Sequence, residues 1–197
     1  MIIGISGKMH SGKDTLAGII QHLYPEYEIV PFAKKLKQVA SILLNVDEEL
    51  FNNHDFKNST LGPEWNWKMD NNRLHKQEGD SAMTVREFLQ FLGTDALKEG
   101  LHPNVWINAL FSKDYKNVII PDVRFPEEAE AIKKRGGILI RIERDKKTMQ
   151  KVNEFHKSEV SLDGYKNFDY IVENNKEIAD LWLKAIDIIK DVKNERD

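Results

Sequence analysis

The fold of this chain is decided by Gly7-Lys8-Met9-His10-Ser11-Gly12-Lys13-Asp14-Thr15, which directly follows the apolar stretch Met1 to Ser6. The spacing Gly-x4-Gly-Lys is that of a phosphate-binding loop, whose backbone N–H groups surround a polyphosphate while Lys13 reaches its β and γ phosphates. Apolar residues then recur at helical spacing, at Leu16, Ile19, Ile20 and Leu23. A strand, a glycine loop and an amphipathic helix in this order predict a nucleoside triphosphate site rather than an ordinary glycine turn.

The loop departs from its commonest form at one position. Asp14 stands where Ser or Thr usually follows the lysine and ligates magnesium, and the hydroxyl comes one residue later, at Thr15. A carboxylate is also a hard oxygen ligand, so Asp14 is a candidate Mg²⁺ ligand, and Thr15 would meet the α or β phosphate. The alternative is that Asp14 only favours the helix N-terminus electrostatically. The predicted ATP-binding residues of the loop are Gly7, Lys8, Ser11, Gly12, Lys13, Asp14 and Thr15.

Length and composition predict one soluble domain spanning 1–197. The formal net charge is −3, from 29 basic and 32 acidic residues, so the chain has no electrostatic footprint for duplex nucleic acid. It contains no cysteine, which excludes disulfides and thiolate catalysis and fits a reducing compartment. No apolar run approaches the ~20 residues of a membrane span, and no signal peptide is recognisable. We therefore expect a cytoplasmic enzyme that contacts no membrane.

Strand-like and helix-like segments alternate along the chain. Val118-Ile119-Ile120 is continuously apolar, as expected of a central parallel strand buried on both faces. The alternation predicts an α/β fold of the P-loop NTPase type, with three layers, a parallel sheet and helices on both of its faces. Residues 45–81 are polar and loop-like and are predicted to form a variable flap on the acceptor side. Residues 144–160 are predicted to form a helical lid, with a charged surface helix as the alternative.

A second group of polar residues follows the buried strand. Asp122 lies at the carboxyl end of that strand, where sheets of this kind bind their ligands, and a carboxylate there can position Mg²⁺ or orient an attacking oxygen. Arg124 can bind a phosphate with two hydrogen bonds. The alternative is that Asp122 and Arg124 pair only with each other on a loop. Glu128, four residues after Arg124, would either brace its guanidinium group or touch the substrate.

Several blocks together resemble the phage-type deoxynucleoside monophosphate kinases. The blocks run in order over nearly the whole chain: Ser6-Gly7-x4-Gly12-Lys13-Asp14-Thr15, Phe32-Ala33-x2-Leu36-Lys37, Thr84 to Gln90 with Gly93-Thr94, His102-Pro103-x2-Trp106, Asp122 to Phe125, and His156-x-Ser158-Glu159. The resemblance implies a nucleoside-monophosphate-kinase fold. It also implies transfer of the γ phosphate of ATP, with Mg²⁺, to a deoxynucleoside 5′-monophosphate, in the cytoplasm of a host if the protein is phage-encoded.

The resemblance also implies site residues. The catalytic set is Lys13, Arg86, Asp122 and Arg124. Apart from the resemblance, Arg141 and Arg144 precede the helix of the predicted lid, and Arg144 is the better candidate of the two for touching a phosphate of ATP. Trp106 would stack on the acceptor base. The alternative, which the residues favour without the resemblance, is a tryptophan of the core. Gly93 and Thr94 would form a helix end approached by the acceptor. The predicted substrate-binding residues are Lys34, Lys37, Arg86, Gly93, Thr94, Trp106, Asp122, Arg124 and Glu128. For Lys34 and Lys37, which rest on their charge and not on the resemblance, the alternative is a solvated helix surface.

Other functional classes remain open from the sequence. A small-metabolite kinase resembling dephospho-coenzyme A kinase would share the loop and the lid but accept a different group. A non-catalytic switch would use ATP to order residues 45–81 for a protein partner. The preferred base is not determined by spacing, and a homodimer is implied by the resemblance alone.

Overall fold

The computed structural model of the chain describes residues 1–65, 67–70, 73–76, 82–145 and 160–194. They form two compact units, which we call the sheet unit (1–32 and 107–197) and the inserted unit (33–106). In the described part of the chain, no helix combines the length and the apolar character needed to cross a membrane.

The sheet unit is built on five parallel strands, which confirms the predicted fold class. The strands are β1 (Ile2–Ser6), β2 (Glu28–Ile29), β5 (Val118–Val123), β6 (Ile138–Glu143) and β7 (Tyr170–Glu173). Their order across the sheet is β2-β5-β1-β6-β7, so the strand that precedes the phosphate loop lies at the centre. Among the described residues of this unit, the helices that begin are α1 (Lys13–Leu23), α6 (Pro126–Lys133) and α7 (Ile178–Asn194).

Helices cover both faces of the sheet, and successive residues of β1 pack against opposite faces. Ile3 and Ile5 are fully buried in one cluster with apolar residues of α1 and α7. Gly4 faces the opposite side, where an added Cβ would lie 2.7 Å from Ile132 Cδ1 in α6. Each fully buried isoleucine stabilises the fold by roughly 1.5–3 kcal/mol. The first strand therefore holds both helical layers together and fixes where the loop after Ser6 begins.

The final helix buries a narrower stripe than its sequence predicts. The spacing of apolar residues from Ile178 to Val192 predicts a final helix that buries Ile178 with the others. Ile178 is instead 62% exposed, because it is the first residue of α7 and precedes the buried stripe. The buried residues of α7 are Leu181, Ala185, Ile188, Ile189 and Val192.

The inserted unit is more regular than its polar composition predicts. A core of Phe51, Val85 and Phe88 packs with Trp65, whose ring meets Phe88 edge-on with centroids 5.1 Å apart. The described part of 45–81 therefore contains packed short elements rather than only loop. The elements are α2 (Ala33–Leu44), 3-10 turns at Glu48–Asn52 and Pro63–Trp65, α3 (His54–Asn58), the antiparallel hairpin β3 (Trp67–Asp70) and β4 (Arg73–Lys76), α4 (Val85–Gln90), a π-helix (Phe91–Glu99) and α5 (Val105–Leu110), which crosses the boundary between the units.

Two predictions about local structure have different outcomes. The pattern Thr84-x-x-Glu87 predicts a capping box at the start of α4. It is confirmed, since Thr84 accepts from the Glu87 amide and the Glu87 carboxylate accepts from the Thr84 amide. The prediction that Gly93 and Thr94 form a helix end is wrong, because the helix continues from α4 through Glu99 with π geometry. The predicted lid at 144–160 and the His156-x-Ser158-Glu159 block lie almost entirely outside the described residues.

Candidate active site

The phosphate loop lies between the end of β1 and the start of α1 and is tightly curled. His10 and Gly12 have left-handed backbone angles, with φ of 61° and 103°. The Ser11 amide donates to the Lys8 carbonyl at 3.1 Å, and Lys13 Nζ donates to the same oxygen at 2.7 Å. Left-handed residues within a turn direct successive N–H groups toward one concavity, which is the arrangement that binds anions. This loop therefore has the geometry predicted for a polyphosphate site.

The inside of the loop is closely packed around a buried hydroxyl. Ser11 is 1% exposed, and its Oγ has no hydrogen-bond partner among the residues that the structure describes. A Cβ on Gly7 would lie 2.6 Å from that oxygen, so only glycine leaves room here. A buried donor without a partner is destabilising, and a phosphate oxygen held by the loop is an acceptor that would satisfy it. The loop thus fits the triphosphate that its sequence predicts.

Asp14 and Thr15 follow in the first turn of α1, and both are exposed. Mg²⁺ usually keeps several waters and binds one or two carboxylates together with substrate phosphates. The described residues include no group of three or more His, Cys, Asp or Glu side chains able to hold a metal by themselves. The exposed Asp14 carboxylate fits a magnesium ion that arrives with the nucleotide.

Asp122 is placed by an irregularity in β5. Ile120 pairs with Gly4 and Val123 with Ser6, so two residues of β5, Pro121 and Asp122, oppose one residue of β1. Such a bulge explains how proline, which has no N–H to donate, is tolerated in a central strand. Asp122 Oδ1 accepts a hydrogen bond from the Phe32 amide at 2.7 Å. The bulge thus holds this carboxylate at the carboxyl edge of the sheet, the edge that also carries the phosphate loop.

Glu128 shapes the turn that carries Arg124. It is 6% exposed, and its Oε2 accepts from the backbone amides of Arg124 at 2.8 Å and Phe125 at 3.1 Å. Free N–H groups at a helix start need such acceptors, and a carboxylate there also interacts favourably with the helix dipole. Glu128 therefore holds the backbone of Arg124, an action that the two sequence-based roles for this residue did not include.

Lys8 and Arg141 share one carboxylate beneath the phosphate loop. Asp163 lies 3.1 Å from Lys8 Nζ and 3.0 Å from Arg141 Nη2. Arg141 is 9% exposed, and its Nη1 also donates to Ser6 Oγ at 3.1 Å. By contrast, Arg144, the preferred phosphate contact from sequence, is exposed just beyond the end of β6.

Two residues of this region were missed by sequence reasoning, Asp163 and Asn174. A charged Arg141 within the apolar run Ile138 to Ile142 was a visible signal that some acidic partner must exist, because buried charges are paired. The sequence had no signal that identified Asp163 as that partner. Asn174 reaches the loop from 163 residues away along the chain.

Two cations of the inserted unit that are predicted to bind the acceptor nucleotide, Lys37 and Arg86, are held by amide side chains. Lys37 Nζ donates to Asn52 Oδ1 at 2.6 Å, and Arg86 Nε donates to Asn58 Oδ1 at 3.1 Å. Lys34 is exposed. The two bonds attach α2 and α4 to the short elements of 45–81, so the segment predicted as a flap orients both cations.

Trp106 and Gly93 are brought together within the inserted unit. The indole Nε1 donates to the Gly93 carbonyl at 2.9 Å, and the tryptophan is half-buried. Gly93 is buried, and a Cβ there would lie 2.9 Å from Leu36 Cδ2 of α2. Thr94 is half-buried beside it. Since the indole N–H is occupied, a base could meet Trp106 only through its ring.

Comparisons with known proteins identify relatives of this chain. The sequence profile of the family described as deoxynucleotide monophosphate kinase matches residues 49–185, more than half of the chain. A protein of Acanthamoeba polyphaga mimivirus, provisionally named a deoxynucleotide monophosphate kinase, is 30% identical, and the alignment covers 96% of each chain. The deoxynucleotide monophosphate kinase of Enterobacteria phage T4 is 26% identical over 54% of this chain and 46% of its own length. The phosphate loop precedes the profile match, but the mimivirus alignment spans nearly the whole chain. The predicted resemblance is confirmed, and the chain belongs to the deoxynucleotide monophosphate kinase family.

Proposed function

We propose that this enzyme transfers the γ phosphate of ATP to the 5′-phosphate of a deoxynucleoside monophosphate, with Lys13 and its loop as the donor site. The observation that carries the assignment is the curled loop, with left-handed His10 and Gly12 and with Lys13 Nζ on the Lys8 carbonyl. The family supplies the reaction class, and ATP is the co-substrate of a kinase of this kind.

On the donor side, the loop amides surround the β and γ phosphates. Lys13 exchanges its contact with the Lys8 carbonyl for the phosphate oxygens, because a charge-assisted bond to an anion is stronger than one to a neutral carbonyl. Ser11 Oγ gains an acceptor, and Thr15 meets the α or β phosphate. Lys8 and the exposed Arg144 add positive charge around the triphosphate. The donor residues are Gly7, Lys8, Ser11, Gly12, Lys13, Asp14, Thr15 and Arg144.

Magnesium would be held by ATP and Asp14 and would screen the crowded phosphate charge. Asp122, whose Oδ1 accepts a hydrogen bond from the Phe32 amide, would help to position the ion's water shell or to orient the attacking phosphate. The Asp14 carboxylate is exposed and the Asp122 carboxylate is half-buried, and both lie at the same edge of the sheet.

On the acceptor side, Arg86 and Arg124 grip the monophosphate and the transferring group. Arginine suits this task because its planar guanidinium matches phosphate oxygens with two parallel bonds. Glu128 holds the backbone that carries Arg124, and Lys34 and Lys37 supplement the charge. Trp106 offers its ring to the base, while Gly93 and Thr94 support that tryptophan from the π-helix.

The reaction itself moves one phosphoryl group. An oxygen of the acceptor phosphate bonds to the γ phosphorus as the bond from that phosphorus to the β–γ bridging oxygen breaks, and ADP departs with the electron pair. Little covalent work falls to the protein, so alignment and charge neutralisation supply most of the acceleration. We also propose a cytoplasmic setting and a homodimer, both resting on likeness to the family.

The test of this function is an acceptor screen. Purified enzyme with ATP and Mg²⁺ is offered the deoxynucleoside and ribonucleoside monophosphates and dephospho-coenzyme A, and products are separated by ion-exchange chromatography. Formation of one or several deoxynucleoside diphosphates, lost without Mg²⁺, supports the proposal. Phosphorylation of dephospho-coenzyme A alone, or ATP binding with no product, would favour the metabolite-kinase or switch class instead.

A further inference from the structure

The turn after the edge strand β7 reaches across to the phosphate loop. Asn174 directly follows β7, and its side-chain Nδ2 donates to the Ser11 carbonyl at 2.9 Å. Its own backbone amide donates to the Glu143 carbonyl at the end of β6, at 2.7 Å. Asn174 is therefore fixed to the sheet by its backbone while its side chain holds the loop.

This contact determines the direction of one loop amide. The peptide bond between Ser11 and Gly12 is trans, so the Ser11 carbonyl and the Gly12 N–H point in opposite directions. Because Asn174 holds the carbonyl, the Gly12 N–H is directed away from Asn174. Without this anchor, the Ser11–Gly12 peptide could rotate to the opposite orientation, because glycine accepts both signs of φ.

The contact is also tight. A Cβ on Gly12 would lie 2.5 Å from Asn174 Nδ2, so the amide packs directly against the glycine at the N-cap of α1. Gly12 has a φ of 103°, a left-handed conformation that glycine adopts without strain, so its surroundings decide whether this conformation is kept. Asn174 belongs to those surroundings and lies outside the loop.

We propose that Asn174 is a positioning residue that preorganises the phosphate loop for the triphosphate, an inference that rests on the proposed donor site. It touches no substrate atom in this role. By holding the Ser11–Gly12 peptide before ATP arrives, it removes an ordering step that would otherwise weaken binding. Its effect should therefore appear on the phosphate chain of ATP and not on the base or the sugar.

The test compares Asn174→Ala with Asn175→Ala. Asn175 belongs to the same turn, and within the described residues its side chain bonds to the Asp145 amide, at 2.8 Å, rather than to the loop. The probes are inorganic tripolyphosphate and ATP, each titrated calorimetrically, together with kcat and KM for ATP. Asn174→Ala should weaken both probes by a similar factor, about tenfold, as expected for one hydrogen bond. The Asn175→Ala control should stay within about twofold.

Several results would overturn the inference. Weaker ATP binding with unchanged tripolyphosphate binding would make Asn174 a contact for the base or sugar. Unchanged binding of both would make it a structural tie only. Asn174→Asp provides a second variant, because its carboxylate cannot donate a hydrogen bond to the Ser11 carbonyl. This variant should bind tripolyphosphate at least as weakly as Asn174→Ala. If neither variant folds, Asn174 is a folding residue and the inference fails. Tripolyphosphate binding needs no acceptor, so it also separates this inference from any failure of the proposed transfer reaction.

Discussion

The carboxylate of Asp163 pairs with Lys8 of the phosphate loop, with 3.1 Å between Oδ2 and Nζ. Its other oxygen bonds to Arg141, so the same side chain holds a loop lysine and a buried arginine. Both Lys8 and Asp163 keep about a third or more of their side chains exposed, at 32% and 42%. A triphosphate in the loop would compete with Asp163 for Lys8.

This competition predicts tighter ATP binding in Asp163→Asn. Removing a negative charge next to the triphosphate and releasing Lys8 should lower the ATP dissociation constant about twofold to fivefold at low salt, the range expected of an exposed ion pair. The gain should shrink as salt rises. In the Lys8→Ala background the substitution should have less effect, which a double-mutant cycle by calorimetry would measure. Weaker ATP binding in Asp163→Asn would mean instead that Asp163 holds Lys8 in its working position.

Variants of Glu128 distinguish a role in positioning Arg124 from direct contact with the substrate. Glu128→Ala leaves the amides of Arg124 and Phe125 without their buried acceptor and should lower the free energy of unfolding by about 1–3 kcal/mol, with a raised KM for the acceptor. Glu128→Gln keeps an acceptor oxygen and should retain most of both properties. Urea unfolding and steady-state kinetics on the two variants provide the comparison. Equal loss of activity in both variants, with normal stability, would point to a direct role of the charge at the substrate.

Trp106 has separable roles in its N–H and its ring. Trp106→Phe removes the donor to the Gly93 carbonyl but keeps an aromatic face, so stability should fall by about 1 kcal/mol while the acceptor KM changes little. Trp106→Ala removes the face as well and should weaken acceptor binding by roughly 1–3 kcal/mol. Acceptor titrations at saturating ATP distinguish the two. If both variants bind the acceptor like the wild type, Trp106 is a core residue of the inserted unit.

Alkaline stability should depend on Tyr165. Burial, aided by the neighbouring Glu130 carboxylate that accepts its O–H at 2.8 Å, raises the pKa of the Tyr165 hydroxyl from 10.0 to about 12. The unfolded chain loses this proton first, so the stabilisation is complete below pH 10 and is lost as the pH rises through about 12. The advantage of the wild type over Tyr165→Phe in urea unfolding should therefore narrow between these pH values. A constant difference would contradict the linkage.

The sequence was most informative where local chemistry decides structure. The glycine spacing of the loop, the capping box at Thr84 and the apolar run of β5 each predicted their element because the interaction lies within a few residues. Exposure of Ile178 and the π-helical continuation through Gly93 depend on packing with distant segments, which periodicity alone does not report.

The residues of the candidate site also divide into those that local sequence predicts and those that it does not. Lys13 and the loop glycines could be predicted from their spacing, because one short segment contains the complete phosphate-binding loop. Asp163 and Asn174 could not be found, since an ordinary polar residue acquires its role only when the sheet order β1-β6-β7 brings it to the loop. Pro121 beside Asp122 was a visible hint of the bulge, because proline is otherwise unexpected in a central strand.

The most direct test of the account is transfer of label from [γ-³²P]ATP, with Lys13→Met as the comparison. The wild type should pass the label to a deoxynucleoside monophosphate and yield one labelled diphosphate. Lys13→Met should lower kcat by at least about a hundredfold, as expected when a principal donor to developing charge is removed. Label released as inorganic phosphate by the wild type, or transfer by Lys13→Met at the wild-type rate, would contradict the assignment of the loop and its lysine as the phosphoryl-donor site.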